Sequence, residues 1–171
     1  IHALCQHEIA SVRMSALAIV GDLARNAPTL LEPALPQLLQ EAVQCMDPIQ
    51  PSVCGNAVWA IGEICVRCQG HAHLLEPFAS AILQNLIALL VGNGPGGGGV
   101  DIPGLTENAA ACAGRLAKVN ANFVAPELHR FLLGWCDGMG KVVDPTERRD
   151  AFEGFIAAVY ANPTAIQHAT V

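Results

Sequence analysis

Apolar and polar positions follow helical spacing through most of this chain. The clearest run is Ser52 to Gln69, where Val53, Ala57, Ala60, Ile61, Ile64 and Cys68 form one apolar stripe. Asn56, Trp59 and Glu63 follow i, i+3 and i+7 on a second face that the core does not require. An indole between an amide and a carboxylate combines large apolar area with a donor, the make-up of a contact surface. The bland alternative is a half-buried tryptophan packed on the next helix. Further helical runs extend over about Ile9–Asn26, Thr29–Met46, His71–Leu90 (with Glu76-Pro77 as an alternative start), Thr106–Lys118 and Val124–Met139, the last carrying Trp135. Another opens at Asp144-Pro145-Thr146-Glu147 and ends at Asn162-Pro163, and one more begins at Ala165. Proline ends helices or opens them, so Ala27-Pro28 closes the first run and Pro36 marks a kink or a late start in the second. Gly70 is placed as a C-terminal cap. Thr106 or Asn108 is available to cap the fifth run.

The Trp59 segment recurs. Ser15–Leu23 resembles it, Asn108–Leu116 resembles it, and Asp150–Ala157 is a weaker copy. The interval is about 40 to 50 residues, close to the period of HEAT and armadillo arrays. The longest interval contains the glycine tract Gly92–Gly99, which predicts a flexible coil. The expected fold is an all-α HEAT-repeat solenoid, a right-handed superhelix of stacked antiparallel helix pairs with about four repeats. It forms a single array over residues 1–171, with a glycine-rich inter-helix loop at about 92–104. Aligned repeats set Ser15, Ala18 and Asp22 beside Asn56, Trp59 and Glu63, then Asn108, Ala111 and Arg115, then Asp150 and Glu153. An extended basic peptide on such a wall would use the amides for its backbone and the acids for Lys or Arg. Trp59 would take an aliphatic or guanidinium group.

Composition narrows the partners. The 171 residues are 52% hydrophobic and 14% charged, which excludes a chain disordered throughout. The net charge of −6 argues against direct nucleic-acid binding and favours a basic peptide or protein. No apolar run is long enough to span a bilayer, so no membrane is expected. The odd set of seven cysteines falls largely on apolar stripes, which reads as a reduced intracellular protein. The chain itself reads as a piece of a longer solenoid.

Three chemistries can be set against the residues. Cys65-x-x-Cys68 with His71 and His73 has zinc-like spacing, but the cysteine pair falls on the core side of its helix. The glycine tract lacks the Lys-Ser/Thr and the preceding strand of a phosphate loop. No nucleophile–base arrangement stands out, so no enzyme, cofactor or metal is expected.

Val12-Arg13 with Gly21-Asp22-Leu23, Val53-Cys54, Asn56-Ala57, Trp59-Ala60-Ile61-Gly62-Glu63-Ile64, Glu107-Asn108, Gly114-Arg115-Leu116, Trp135-Cys136 and Asp150-Ala151-Phe152 together resemble the importin-β family of nuclear import receptors. The likeness is to a C-terminal arch and covers about Ile9 to Gln167. It implies a wall that holds an extended, basic/hydrophobic nuclear localisation signal of the proline-tyrosine class. By this resemblance Trp59 meets the N-terminal hydrophobic or basic part of the signal, and Asp22 belongs to the same site. Ala111 lines it, where relatives can hold a larger aliphatic. Pro51 stands where an aliphatic is expected. The resemblance also implies cargo proteins and nucleoporins as partners, Ran-GTP binding through an N-terminal arch, and shuttling between cytoplasm and nucleus. A HEAT scaffold binding folded protein partners by its ridges is the alternative.

Overall fold

In the computed structural model, residues 1–92 and 104–167 are described. They form α1 (His2–Cys5), α2 (Ala10–Asn26), α3 (Leu35–Gln44), α4 (Pro51–Arg67), α5 (Glu76–Gly92), α6 (Leu105–Val119), α7 (Leu128–Lys141), α8 (Pro145–Ala161) and α9 (Thr164–Gln167). No strand occurs among the described residues. The expected flexible coil lies outside them, apart from Gly92, which is the last residue of α5.

The helices make two layers. α2, α4, α6 and α8 pack each on the next in one layer, and α3, α5 and α7 do so in the other. α1 begins the second layer and α9 ends it. The array is an all-α solenoid, and its first layer consists of the four helices in which the repeated segment was found.

Proline sets the connections. Pro28 and Pro33 sit in the 3-10 turns Pro28–Leu30 and Glu32–Ala34, and α3 begins only at Leu35 with Pro36 in its first turn. The run expected from Thr29, with a kink or a late start at Pro36, is two turns followed by the late start, because each proline lacks the N–H a continuing helix needs. The same device precedes α7, where Pro126 lies in the turn Ala125–Glu127. After α4, Gly70 adopts the left-handed φ of +82° that reverses the chain. α6 starts before Thr106. Gly104, at φ +83°, is its N-cap, and the Gly104 N–H donates to Glu107 Oε2 at 3.1 Å. Asp144 caps α8, its Oδ1 accepting from the N–H groups of Thr146 at 2.8 Å and Glu147 at 2.9 Å.

The core runs the length of the array between the layers. α6 is its most enclosed helix, buried almost throughout from Leu105 to Ala117. Its alanines let neighbouring backbones approach. At the crossing with α8 the approach is closest: a Cβ on Gly154 would collide with Gly114 O and with the Lys118 backbone nitrogen. Trp135 anchors α7 to this pair. Its Nε1 donates to Ala110 O at 2.8 Å, and its ring stacks on Phe155 and meets Phe152 edge-on. Such aromatic pairs contribute about 0.5–1.5 kcal/mol beyond their buried area. Cys54, Cys65, Cys68 and Cys112 fill small spaces in the same core as free thiols, and burial pushes the Cys54 thiol up to about 12. No helix among the described residues is long and apolar enough to cross a membrane.

Candidate functional site

The first layer carries the residues singled out by the repeat alignment. Asn56 on α4 donates from Nδ2 to Met14 O of α2 at 2.9 Å. One repeat later, Asn108 on α6 donates from Nδ2 to Gly55 O of α4 at 3.3 Å. Equivalent asparagines thus bind each helix to the one before it. Both are only partly buried, and both line a groove of about 250 Å³ with Pro51 and Ser52. Each side chain retains a carbonyl oxygen able to accept a hydrogen bond.

Trp59 lies across α2. The benzo edge of its indole fills the space beside Gly21, where any Cβ would overlap the ring. The side chain is half-buried and packs on the neighbouring helix, as the bland reading expected. Asp22, next to Gly21, is exposed. The guanidinium of Arg25, one turn further along α2, sits over the indole at 5.5 Å from its centroid.

Three other residues expected on the wall lie beneath its surface. Ala111 is 1% exposed, Glu63 3% and Arg115 5%. The repeat helices pack so closely that the seventh position of the stripe falls in the crevice between them. Arg115, for example, lies against the Cα of Gly62 on α4. Buried charge needs a partner, and these charges have several. Arg25 forks onto Glu63 through Nε to Oε2 at 3.1 Å and Nη2 to Oε1 at 2.9 Å. Arg115 Nη1 donates to the same Oε1 at 2.9 Å and reaches Glu147 Oε1 at 3.2 Å. An ion ladder, Arg25–Glu63–Arg115–Glu147, therefore crosses α2, α4, α6 and α8. Lys118 extends it, pairing with Asp150 and Glu153 of α8 at 2.7 Å each.

The titration of the ladder follows from these contacts. Burial works to raise the Glu63 carboxyl, but the Arg25 hydrogen bond and the Arg115 charge outweigh it and hold Glu63 below the usual carboxylate value. Glu147 is raised, because burial exceeds the help it receives from Arg115. Arg25 is raised, chiefly by its hydrogen bond to Glu63.

Sequence reasoning missed Arg25, Glu147 and Arg67. Arg67 donates to Ala24 O at 2.9 Å and Arg25 O at 2.6 Å, satisfying free carbonyls at the end of α2. Opposite charges at neighbouring repeat positions, Glu63 then Arg115, were the available signal for the ladder. Nothing in the sequence pairs Gly21 with Trp59. The zinc-like spacing does not assemble. Cys65 and Cys68 are buried while His71 and His73 are exposed, and no group of three or more metal-ligating side chains forms among the described residues. What the layer offers is a half-buried indole, an exposed carboxylate and two amides anchored through their nitrogens.

The chain is 37% identical to Transportin-1 of Oryza sativa subsp. japonica over 164 residues, covering 94% of this chain and 18% of that protein. It is 30% identical to Transportin-1 of Homo sapiens over 162 residues, 94% of this chain and 17% of the relative. To importin subunit beta-2 of Schizosaccharomyces pombe it is 27% identical over 163 residues, again 94% and 17%. The chain thus spans less than a fifth of the length of the curated relatives it matches. No family model matches the chain.

Proposed function

This chain is homologous to a segment of the transportins, of the importin-β family, and from that premise we propose that it is part of a nuclear import receptor whose first-layer wall binds a cargo's localisation signal. The signal is extended, basic and hydrophobic, of the proline-tyrosine class. Trp59 provides the apolar anchor and Asp22 draws a nearby Lys or Arg. The Asn56 and Asn108 carbonyls accept from the peptide backbone in the groove beside Pro51. Ala111, Glu63 and Arg115 form the floor that holds these side chains in register. Cargo proteins are the partners at this surface; Ran-GTP and nucleoporins are partners of the whole receptor, which shuttles between cytoplasm and nucleus. The chain performs no catalysis in this role, and it binds neither nucleic acid nor membrane directly.

The single observation that carries the reading is the placement of Trp59. Its indole is pinned against Gly21 and yet left partly open beside an exposed Asp22. Rigid aromatic anchors of this kind dominate peptide interfaces because little entropy is lost when they bind. The test is Trp59→Ala in the full-length receptor, with affinity for a proline-tyrosine signal peptide measured by calorimetry. A loss of about 2 kcal/mol or more is expected, roughly 30-fold in Kd. Asp22→Ala should cost less, and its effect should fade at high salt because it is mainly Coulombic. Unchanged affinity in Trp59→Ala would move the binding surface elsewhere and favour the scaffold reading.

A further inference from the structure

We infer that Arg25 is a specificity-determining residue: it supplies from within the protein the cation that Trp59 would otherwise recruit from a ligand, so the segment meeting Trp59 must be aliphatic or aromatic. The inference rests on the signal-binding reading of the wall and deepens it.

Three observations carry it. First, the Arg25 guanidinium already lies over the indole, at 5.5 Å from the ring centroid. That is the position a ligand's Arg or Lys would take in a cation–π contact. Second, Arg25 is clamped. Two hydrogen bonds of 2.9 and 3.1 Å hold it to Glu63, whose carboxylate is itself buried and held by the buried Arg115. A forked pair backed by a second arginine holds the guanidinium at the ring, where a lone exposed arginine would sample many rotamers. Third, the Arg25 side chain is 51% exposed and Trp59 is only half-buried, so neither partner of the contact is sealed from solvent. A second cation brought to the indole would meet a like charge with the ring's negative face already engaged.

The wall then separates two chemistries along its length. Near the ring, the methylene stem of Arg25 and the indole edge together present an apolar step, as long cationic side chains do when only the head is charged. Beside it, Asp22 is the exposed carboxylate for a basic residue. A basic-hydrophobic signal is thereby read in register, with an apolar residue on Trp59 and a Lys or Arg displaced toward Asp22. Removing the Arg25 charge would open the ring face to a ligand cation and blur that register.

The experiment uses the full-length receptor and a host peptide that ends in Pro-Tyr and begins with a basic-hydrophobic segment. Each position of that segment is set in turn to Leu or to Lys, and the Leu-over-Lys preference is read as a ratio of Kd values. In the wild type the preference for Leu should peak at one position, the one that meets Trp59. Arg25→Gln should lower that peak by about tenfold, in line with removal of one like charge in a partly screened setting. Because Arg25→Gln leaves Glu63 short of a partner, Arg25→Gln/Glu63→Gln is measured beside it. This pair keeps the hydrogen-bonding shape without the two charges, and it should lower the same peak. Arg25→Lys preserves a charge for Glu63 without the forked pair of hydrogen bonds that holds it at the ring, and should lower it partially. If Trp59→Ala weakens the peptide but the Leu preference survives in all three Arg25 variants, the specificity role is overturned while the binding surface stands. If Trp59→Ala leaves every affinity unchanged, the binding surface itself fails and this inference with it.

Discussion

Two glutamates of the ion ladder should respond oppositely to pH and to neutralisation. Glu63 is held below the usual carboxylate value, so its contribution to stability is present above the unfolded-state value of about 4.3. That contribution is lost as pH falls through the lower folded value. Glu147 is raised, so its charged form opposes folding, and the stability linked to it is lost as pH rises through the folded value. Glu63→Gln should therefore lower stability at pH 7. Glu63→Ala should cost about 3–5 kcal/mol, the loss expected when a buried pair is broken and the buried Arg115 keeps only Glu147 as a partner. Glu147→Gln should be neutral or stabilising at pH 7 and lose that advantage near pH 4, where the native carboxyl is itself protonated. Urea melts of the three variants at both pH values decide this; a Glu147→Gln variant as damaged as Glu63→Gln would contradict the account. The Trp59 stripe was visible from spacing, and so was the choice between contact and packing; the structure shows the packing, an indole half-buried on Gly21 of α2, and contact with a ligand is what we propose. That Glu63 and Arg115 would be buried was not visible. Spacing on one helix cannot tell how near the next helix comes, and here Gly62 lets Arg115 lie directly on α4.

Helices were easiest to see where proline and apolar period agree, as for α2, α4 and α8. They were misplaced where proline and the apolar period compete, as before α3. There Leu31, between the two 3-10 turns, is buried in step with Leu35, Leu38 and Leu39 of α3, so the apolar period begins before the helix does. Glycine is the other hidden variable at this scale. A helical glycine normally costs about 1 kcal/mol relative to alanine, and that cost is repaid only where backbones meet. Gly154→Ala should destabilise by about 1–3 kcal/mol, as overpacking does, because Gly114 O and the Lys118 backbone cannot yield. Gly55→Ala in the second turn of α4 meets open space and should stabilise by up to about 1 kcal/mol. Thermal melts of the two variants should move in opposite directions. A stabilised Gly154→Ala would mean that α6 and α8 are further apart than described.

At the scale of the whole molecule, the recurrence of one segment was enough to give the solenoid, because each helix pair can bury its apolar face only on its neighbours. The same recurrence placed the side chains of four helices in adjacent rows. Asparagine-to-carbonyl bonds and the ion ladder now join those rows physically. What recurrence cannot supply is the function of the face, since a scaffold for folded partners would stack in the same way. The central claim is that an extended signal lies on the first layer across Trp59. The most direct measurement is site-specific photocrosslinking in the full-length receptor. A benzophenone amino acid placed at exposed Ser15 or Ile19 of α2 stands on the layer that carries the groove, and one at exposed Leu133 of α7 stands on the other layer. With a proline-tyrosine signal peptide bound, the account predicts covalent peptide adducts from the α2 positions, competed away by unlabelled peptide, and none from Leu133. Adducts from Leu133 with none from α2 would contradict it.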